Sequence, residues 1–435
     1  MHIGMGQNGQ IAVGTTAIQT GWTNIWPVPD LIQTGTDGHL LALFGGTRST
    51  DPNETNEGIN AATAPQDGSS WSLQAGDAAN GQGGNDPIGA TDVGGTPFFT
   101  WESSGQIYVR RGLQGSTSPS YELQAALGGC CGYTPDIAVG RRGDVWVTWY
   151  SSASGKEGIW AQELDPATAA PIGSPSKMPG STTAFNGTQE SVQQITRTPI
   201  AAQGGTGPAA EDAFTGGNIY IAYTAGYPAA NKLRVWTITP DGPSTDSEVV
   251  ASVGNNRSIG APAVATDRAG RTWALWAAGD ASNMNIYARR SNVGATKWGA
   301  TVGARFPNPN QLCQAIPEIT PEGTLNGAVD VFATVIEGCG PQYALWHTQL
   351  EPGLSLSANP SRFKGKEKVT FKVTDAGVPV RGAKVTAGGE SATTNSDGIA
   401  RIVVGPYSSD KRVVAKAVKD GYVRALQALR VQGGN

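Results

Sequence analysis

The sequence has little of what a helical or metal-dependent protein needs. Only 15% of its 435 residues are charged, and no long stretch repeats apolar residues at the helical period. No apolar run approaches the roughly 20 residues a helix needs to cross a bilayer, so membrane insertion is not expected. Histidine is confined to His2, His39 and His347, and cysteine to Cys130, Cys131, Cys313 and Cys339, at spacings that match no zinc site. No Gly-Lys-Ser loop, Gly-x-Ser-x-Gly elbow or His-Glu-x-x-His pair occurs, which removes the commonest phosphate-loop, serine-hydrolase and zinc-protease chemistries. The opening MHIGMGQNGQ has neither a basic nor an apolar signal region, so no export leader is expected in it.

What is present points to turn-rich β structure: 60 Gly, 27 Pro and short apolar runs, alternating or continuous. The chain is organised around residues 26–73. Three strand-like runs stand there, at 31–33, 40–44 and 59–63, with Asp37-Gly38 and Asp67-Gly68 as turns. One such meander cannot bury both faces and needs siblings beside it. A proline-led apolar strand recurs as Pro29-Asp30-Leu31, Pro87-Ile88-Gly89, Pro135-Asp136-Ile137, Pro199-Ile200-Ala201, Pro262-Ala263-Val264 and Pro317-Glu318-Ile319. Successive prolines lie 58, 48, 64, 63 and 55 residues apart, a period of propellers and arrays. Each repeat continues with a richer apolar second strand, a third strand and a weaker outer one.

The expectation is an all-β chain: a six-bladed β-propeller over residues 1–351 and an Ig-like β-sandwich over 352–435. A pair of β-sandwiches is the alternative. Residues 10–15 are expected to close the last blade, since a strand borrowed from the other end of the chain removes free edges. Recurrent aromatics such as Phe44, Trp101, Trp149, Tyr223, Trp276 and Phe332 suit packing between blades. Arg110-Arg111 and Arg289-Arg290 share one repeat position and are expected on the outer surface.

Charge is unevenly spread. Residues 353–435 hold 14 of the 31 basic and 6 of the 35 acidic residues, a net of +8 against −12 for the rest. An anionic polymer at the basic domain, or attraction between the two parts, would follow. Nucleic acid is not an expected partner. The propeller topology puts all four cysteines on one face, with Cys313–Cys339 the favoured bridge and a Cys130–Cys131 pair the other option. Disulfides would mean an oxidising, extracellular setting. Asp30, Asp136 and Glu318 follow the repeat proline and Asp86 precedes it. They would ring the channel mouth, either holding Ca²⁺ or Mg²⁺ through oxygen ligands or bonding backbone amides.

Trp26-Pro27-Val28-Pro29, Asp37-Gly38, the strand at 40–44, Gly46-Thr47-Arg48 and Gln66-Asp67-Gly68-Ser69-Ser70-Trp71 together resemble the first blade of the sialidase-like propellers. That family has an aromatic-Arg-Ile-Pro motif and an Asp-box ending in Ser/Thr-Trp. Its motif arginine is one of three that clamp the substrate carboxylate, a role that needs a planar, permanently charged fork. Pro27 stands at that position here. Asp51 matches the family's acid/base carboxylate, with Glu54 and Glu57 in the same loop. In the tail, Val378-Pro379-Val380-Arg381-Gly382-Ala383-Lys384-Val385, residues 393–398 and Lys419-Asp420-Gly421-Tyr422 resemble bacterial surface Ig-like and carboxypeptidase-regulatory-like domains.

These features imply an extracellular or cell-surface binding or scaffold protein. Its propeller face would recognise a glycan or a surface protein near Arg48, Asp30, Asp136 and Glu318, and its sandwich would be spacer or attachment. A glycoside hydrolase using Asp51 or its neighbours, with Arg48 or Arg197 on an acidic sugar, is the second expectation. A structural subunit of a surface filament or virion is the third.

Overall fold

The computed structural model describes residues 3–5, 10–13, 16–19, 24–25, 30–35, 37–47, 57–73, 85–92, 94–112, 120–121, 131–181, 198–203, 217–226, 230–254, 258–279, 284–305, 315–324, 326–336 and 343–434. They contain strands and turns and no α-helix. The chain divides into two compact units, residues 1–264 and 265–435.

The first unit opens with a three-stranded N-terminal sheet, β1 (Ile3–Met5), β2 (Gln10–Val13) and β3 (Thr16–Gln19). The first repeat sheet follows: β4 (Asn24–Ile25), β5 (Asp30–Thr34), β6 (His39–Thr47), β7 (Glu57–Ala64) and β8 (Ser72–Leu73). The second is β9 (Asn85–Thr91), β10 (Pro97–Ser103), β11 (Gln106–Arg111) and β12 (Ser120–Tyr121). The third is β13 (Gly132–Val139), β14 (Val145–Ser151), β15 (Gly158–Leu164) and β16 (Pro171–Lys177). The fourth is β17 (Ile200–Ala202), β18 (Ile219–Ala225), β19 (Lys232–Thr239) and β20 (Gly242–Ser252). Each is an antiparallel meander in chain order apart from β4, which also pairs with β6.

Apolar clusters lie between successive sheets. Leu41 and Leu43 of β6 meet Phe99 and Trp101 of β10, while Ala42 and Phe44 point the other way, onto Val13 and Ile18 of the N-terminal sheet. Phe98, on the opposite face of β10, joins Val145, Val147 and Trp149 of β14. Trp146 and Tyr150 then face Ile221 and Tyr223 of β18. A strand covered on both faces has no use for polar residues, so β14 and β18 are buried throughout and read as near-continuous apolar runs. Aromatics of the second strands therefore pack between sheets, as expected.

The expected closing strand stands in a sheet of its own: β2 pairs with β1 on one edge and β3 on the other, and residues 14–15 lie outside the described residues. Among the described residues seven sheets precede the sandwich strands, the six of the proline-led repeat and this N-terminal one. The seventh escaped the repeat pattern because its strands are three or four residues long and carry no proline.

The prolines also sit differently from the expected strand-leading position. In β9, β13 and β25 (Ala315–Gly323) they lie inside the strand, as the second of two residues opposite a single partner residue. This is a β-bulge, where a residue without an N–H costs the ladder nothing. Thr134, just before Pro135, takes φ 49° to make it.

The second unit carries the rest of the fifth sheet, β21 (Ile259–Thr266, across which the division falls), β22 (Thr272–Ala278), β23 (Asn285–Arg290) and β24 (Val302–Arg305). The sixth has β25, β26 (Val329–Ile336) and β27 (Tyr343–Leu350). At Gly323 a side chain is impossible, since a Cβ would lie 2.1 Å from the Thr266 carbonyl oxygen.

Two further sheets follow. One holds β28 (Ser355–Asn359), β30 (Glu367–Asp375), β31 (Val378–Pro379) and β34 (Ile399–Val404). The other runs β29 (Arg362–Lys364), β36 (Ala425–Gln432), β35 (Lys411–Val418), β32 (Lys384–Ala387) and β33 (Glu390–Thr393), with β29 parallel to β36. Both sheets feed one core around Phe371, Val385, Ile402, Ala415 and Leu429, which makes a two-sheet sandwich. The expected boundary at 351/352 falls inside this unit.

Candidate functional site

Asp30 and Asp136 are not arranged as ligands. Asp30 Oδ2 accepts from the Gly89 amide at 2.7 Å, and Asp136 Oδ2 from the Ile200 amide at 3.2 Å. Asp136 Oδ1 also accepts from Ile137 N at 2.7 Å. Each carboxylate thus reaches from one inner strand to the inner strand of the next sheet. The Thr198 hydroxyl, donating to Thr134 O at 3.0 Å, and the Thr148 hydroxyl, donating to Thr198 O at 2.6 Å, add to the same seam. The two carboxylates tie neighbouring sheets: β9 and β17 each pair with a single strand, so an amide on their other edge has no ladder partner, and a carboxylate supplies one. Among the described residues no three His, Cys, Asp or Glu side chains gather at metal-binding spacing. Glu318 is in β25 opposite Thr334, with its side chain outside the described residues.

Asp86 lies in β9, with its side chain outside the described residues. Arg48, Asp51, Glu54 and Arg197 lie outside the described residues, as do Pro27, Cys130, Cys313 and Cys339. Glu57 is the first residue of β7, opposite Thr47. The Asp-box-like segment is described: it links β7 to β8, Asp67 Oδ1 accepts from Ser69 N at 2.9 Å, and Trp71 packs on the N-terminal cluster. Hydrogen bonds from Ser69 hold the Asp67 carboxyl below its usual range.

Among the described residues, an exposed tyrosine stands at one end of the third sheet. Tyr133 of β13 stands opposite Tyr150 of β14, ring centroids 6.5 Å apart, and remains 38% exposed. The bulge at Thr134-Pro135 aims it, and the β10–β11 turn braces its neighbour through Gly132 N to Gly105 O at 2.8 Å. Burial, then the charge of Glu157 and the neighbouring Tyr133, push the Tyr150 hydroxyl up to about 12, so it stays protonated. Glu157, in the β14–β15 connection, accepts from Gly155 N at 3.0 Å; backbone hydrogen bonds hold its carboxyl below the usual range. The arrangement offers the exposed face of Tyr133 and, close by, an ionised acceptor in Glu157, with the buried Tyr150 ring as backing. Sequence reasoning missed it because neither tyrosine belongs to the recurrent aromatic set.

The densest charge cluster is in the second unit. Arg271 and Arg290 both bond Asp375 Oδ2, and Arg290 also reaches Asp267 Oδ2 at 3.3 Å and the Gly327 carbonyl at 2.7 Å. The Arg290 guanidinium lies 5.9 Å from the Trp273 ring centroid and 5.8 Å from that of Tyr422. All four charged side chains are buried. Two guanidinium groups converging on a carboxylate is the geometry of an anion clamp, but the carboxylate is the chain's own Asp375, so the cluster is a structural lock. Arg290, expected on the surface, is buried because the sandwich covers it. Arg110, its counterpart in the second sheet, is buried as well.

No known protein family matches the chain, and no curated protein matches it. Among solved structures it is similar to a protein of unknown function from Dyadobacter fermentans (12% identity, TM-score 0.46, 74% of this chain and 93% of that one). An endo-arabinase from Bacteroides thetaiotaomicron follows at 11% identity and TM-score 0.39, covering 76% of this chain and 95% of that one. A calcium-binding regucalcin from Agrobacterium tumefaciens stands at 11% and 0.39, with 75% and 90% covered. At TM-scores below 0.5 these likenesses decide neither fold nor chemistry.

Proposed function

We propose that the successive meander sheets are blades of a β-propeller, that residues 352–435 are an Ig-like domain, and that the protein is an extracellular, non-catalytic glycan-binding protein. The observation that carries this reading is exposed Tyr133 beside Tyr150 and Glu157. A sugar presents an apolar face to a ring and hydroxyls to polar neighbours, and this patch supplies both kinds of group. The propeller reading is supported by apolar clusters between successive sheets and by inner strands tied side by side through Asp30 and Asp136. Among the described residues, the converging arginines are already occupied by Asp375, which favours binding over sialidase-type turnover.

A glycan array with the full chain, followed by titration of the best sugar, tests the proposal. Tyr133→Ala should weaken binding about tenfold, the loss of roughly 1.4 kcal/mol of ring contact. Unchanged binding would reject the site. Glycoside hydrolysis keeps one specific support: Glu57 opens the third strand of the first sheet, and Glu157 directly precedes the third strand of the third. Turnover of chromogenic glycosides, sialosides included, abolished by Asp51→Asn would replace the binding reading with that one.

A further inference from the structure

The register of the five-stranded sandwich sheet places Arg362 beside Arg430, and Arg430 opposite Arg412. Three arginines therefore stand in one row across three adjacent strands, about 4.8 Å from strand to strand. All three are exposed, and none makes an ion pair or side-chain hydrogen bond with the described residues. Like charges directly opposite one another destabilise a sheet, so nothing in the fold itself calls for this row.

The same outward face carries Lys364, Lys384 and Lys416, and its strand positions include no carboxylate. Between the basic residues stand aliphatic ones with no cover: Leu426 opposite Lys416 at 58% exposure, Val414 at 53% and Val418 at 39%. Outward positions on these five strands hold no aromatic ring on which a sugar or base could stack.

We propose that this face docks on the surface of an anionic lipid bilayer. A planar array of cations suits a planar layer of phosphate headgroups, and guanidinium forks bind phosphate in pairs of hydrogen bonds. The exposed Leu426, Val414 and Val418 decide between polyanions. A free anionic polymer offers no continuous apolar layer for aliphatic side chains to enter, whereas the headgroup–acyl boundary accepts both kinds of side chain. The face shares no residue with the Tyr133 patch, which belongs to the other compact unit, so this proposal and the glycan reading stand or fall separately.

The test is co-sedimentation of the full chain with vesicles of phosphatidylcholine alone and of an equimolar mixture with phosphatidylglycerol. Binding should be confined to the anionic vesicles and fall as salt rises. Arg412→Glu with Arg430→Glu should lower partitioning at least about 25-fold, since each cation near an anionic surface contributes about fivefold. Lys384→Glu with Lys416→Glu is a second, independent reversal on the same face. Leu426→Ser should weaken binding at all salt concentrations. Absence of vesicle binding, equal binding to both vesicle types, or reversals without effect would overturn the proposal. So would retention on a soluble polyanion without vesicle binding, which would assign the face to a polymer.

Discussion

Replacing Asp375 by Ala removes the one carboxylate that two buried guanidinium groups share. The two arginines do not lose equally. Arg290 keeps Asp267 at 3.3 Å and the Gly327 carbonyl at 2.7 Å. Arg271 has no other ion-pair partner among the described residues. One guanidinium is thus left buried without a hydrogen-bonded carboxylate, and breaking a buried pair in this way costs about 3–5 kcal/mol. Urea denaturation of the full chain should show the loss in the transition that belongs to residues 265–435, and protease should then cut near Pro352-Gly353. Asp375→Asn, which keeps an acceptor oxygen but not the charge, should fall between wild type and Ala. Replacing Arg271, Arg290, Asp267 and Asp375 together by apolar residues of similar size should be close to neutral, because the desolvation cost leaves with the charges. A loss below about 1 kcal/mol for Asp375→Ala would refute the lock.

Two other outcomes follow from the geometry. Asp136→Ala should cost about 1–3 kcal/mol by stranding the Ile200 amide, and Asp30→Ala a similar amount through Gly89, each measured by denaturant titration; neither loss should depend on added Ca²⁺ or chelator. Burial raises the Asp267 carboxyl above its ordinary 3.8, against the pull of the Arg271 amide and of Arg290 and Arg271. The folded protein then holds that proton more tightly than the unfolded chain, so stability from this group is greatest below its ordinary value and falls as pH rises through the folded one. Asp267→Asn should flatten that part of the stability–pH curve, and an unchanged curve would remove the assignment.

Much of the strand order was legible in the sequence, and the reason is burial. Second strands covered on both faces must be apolar throughout, so β14 and β18 announce themselves as VWVTWYS and IYIAYTA. The period of the proline-led strands was legible too, although not its cause: a bulge, which needs two paired strands to exist, seats the proline inside the strand. Strict alternation along residues 368–374, with Val369, Phe371 and Val373 on one face, is visible in the sequence and falls within β30.

What only tertiary structure decided are relations between residues far apart in the chain. The sequence presents Asp136 as a carboxylate after a proline; only sheet packing brings the Ile200 amide beside it. Arg290 looked like an outer-strand cation until Asp375, 85 residues on, supplied its partner. Strand register likewise lines up Arg362, Arg412 and Arg430, which no local pattern connects. Hydrophobic periodicity is a local property and can be read along the chain, whereas the partner that settles a polar group's role is chosen by the fold.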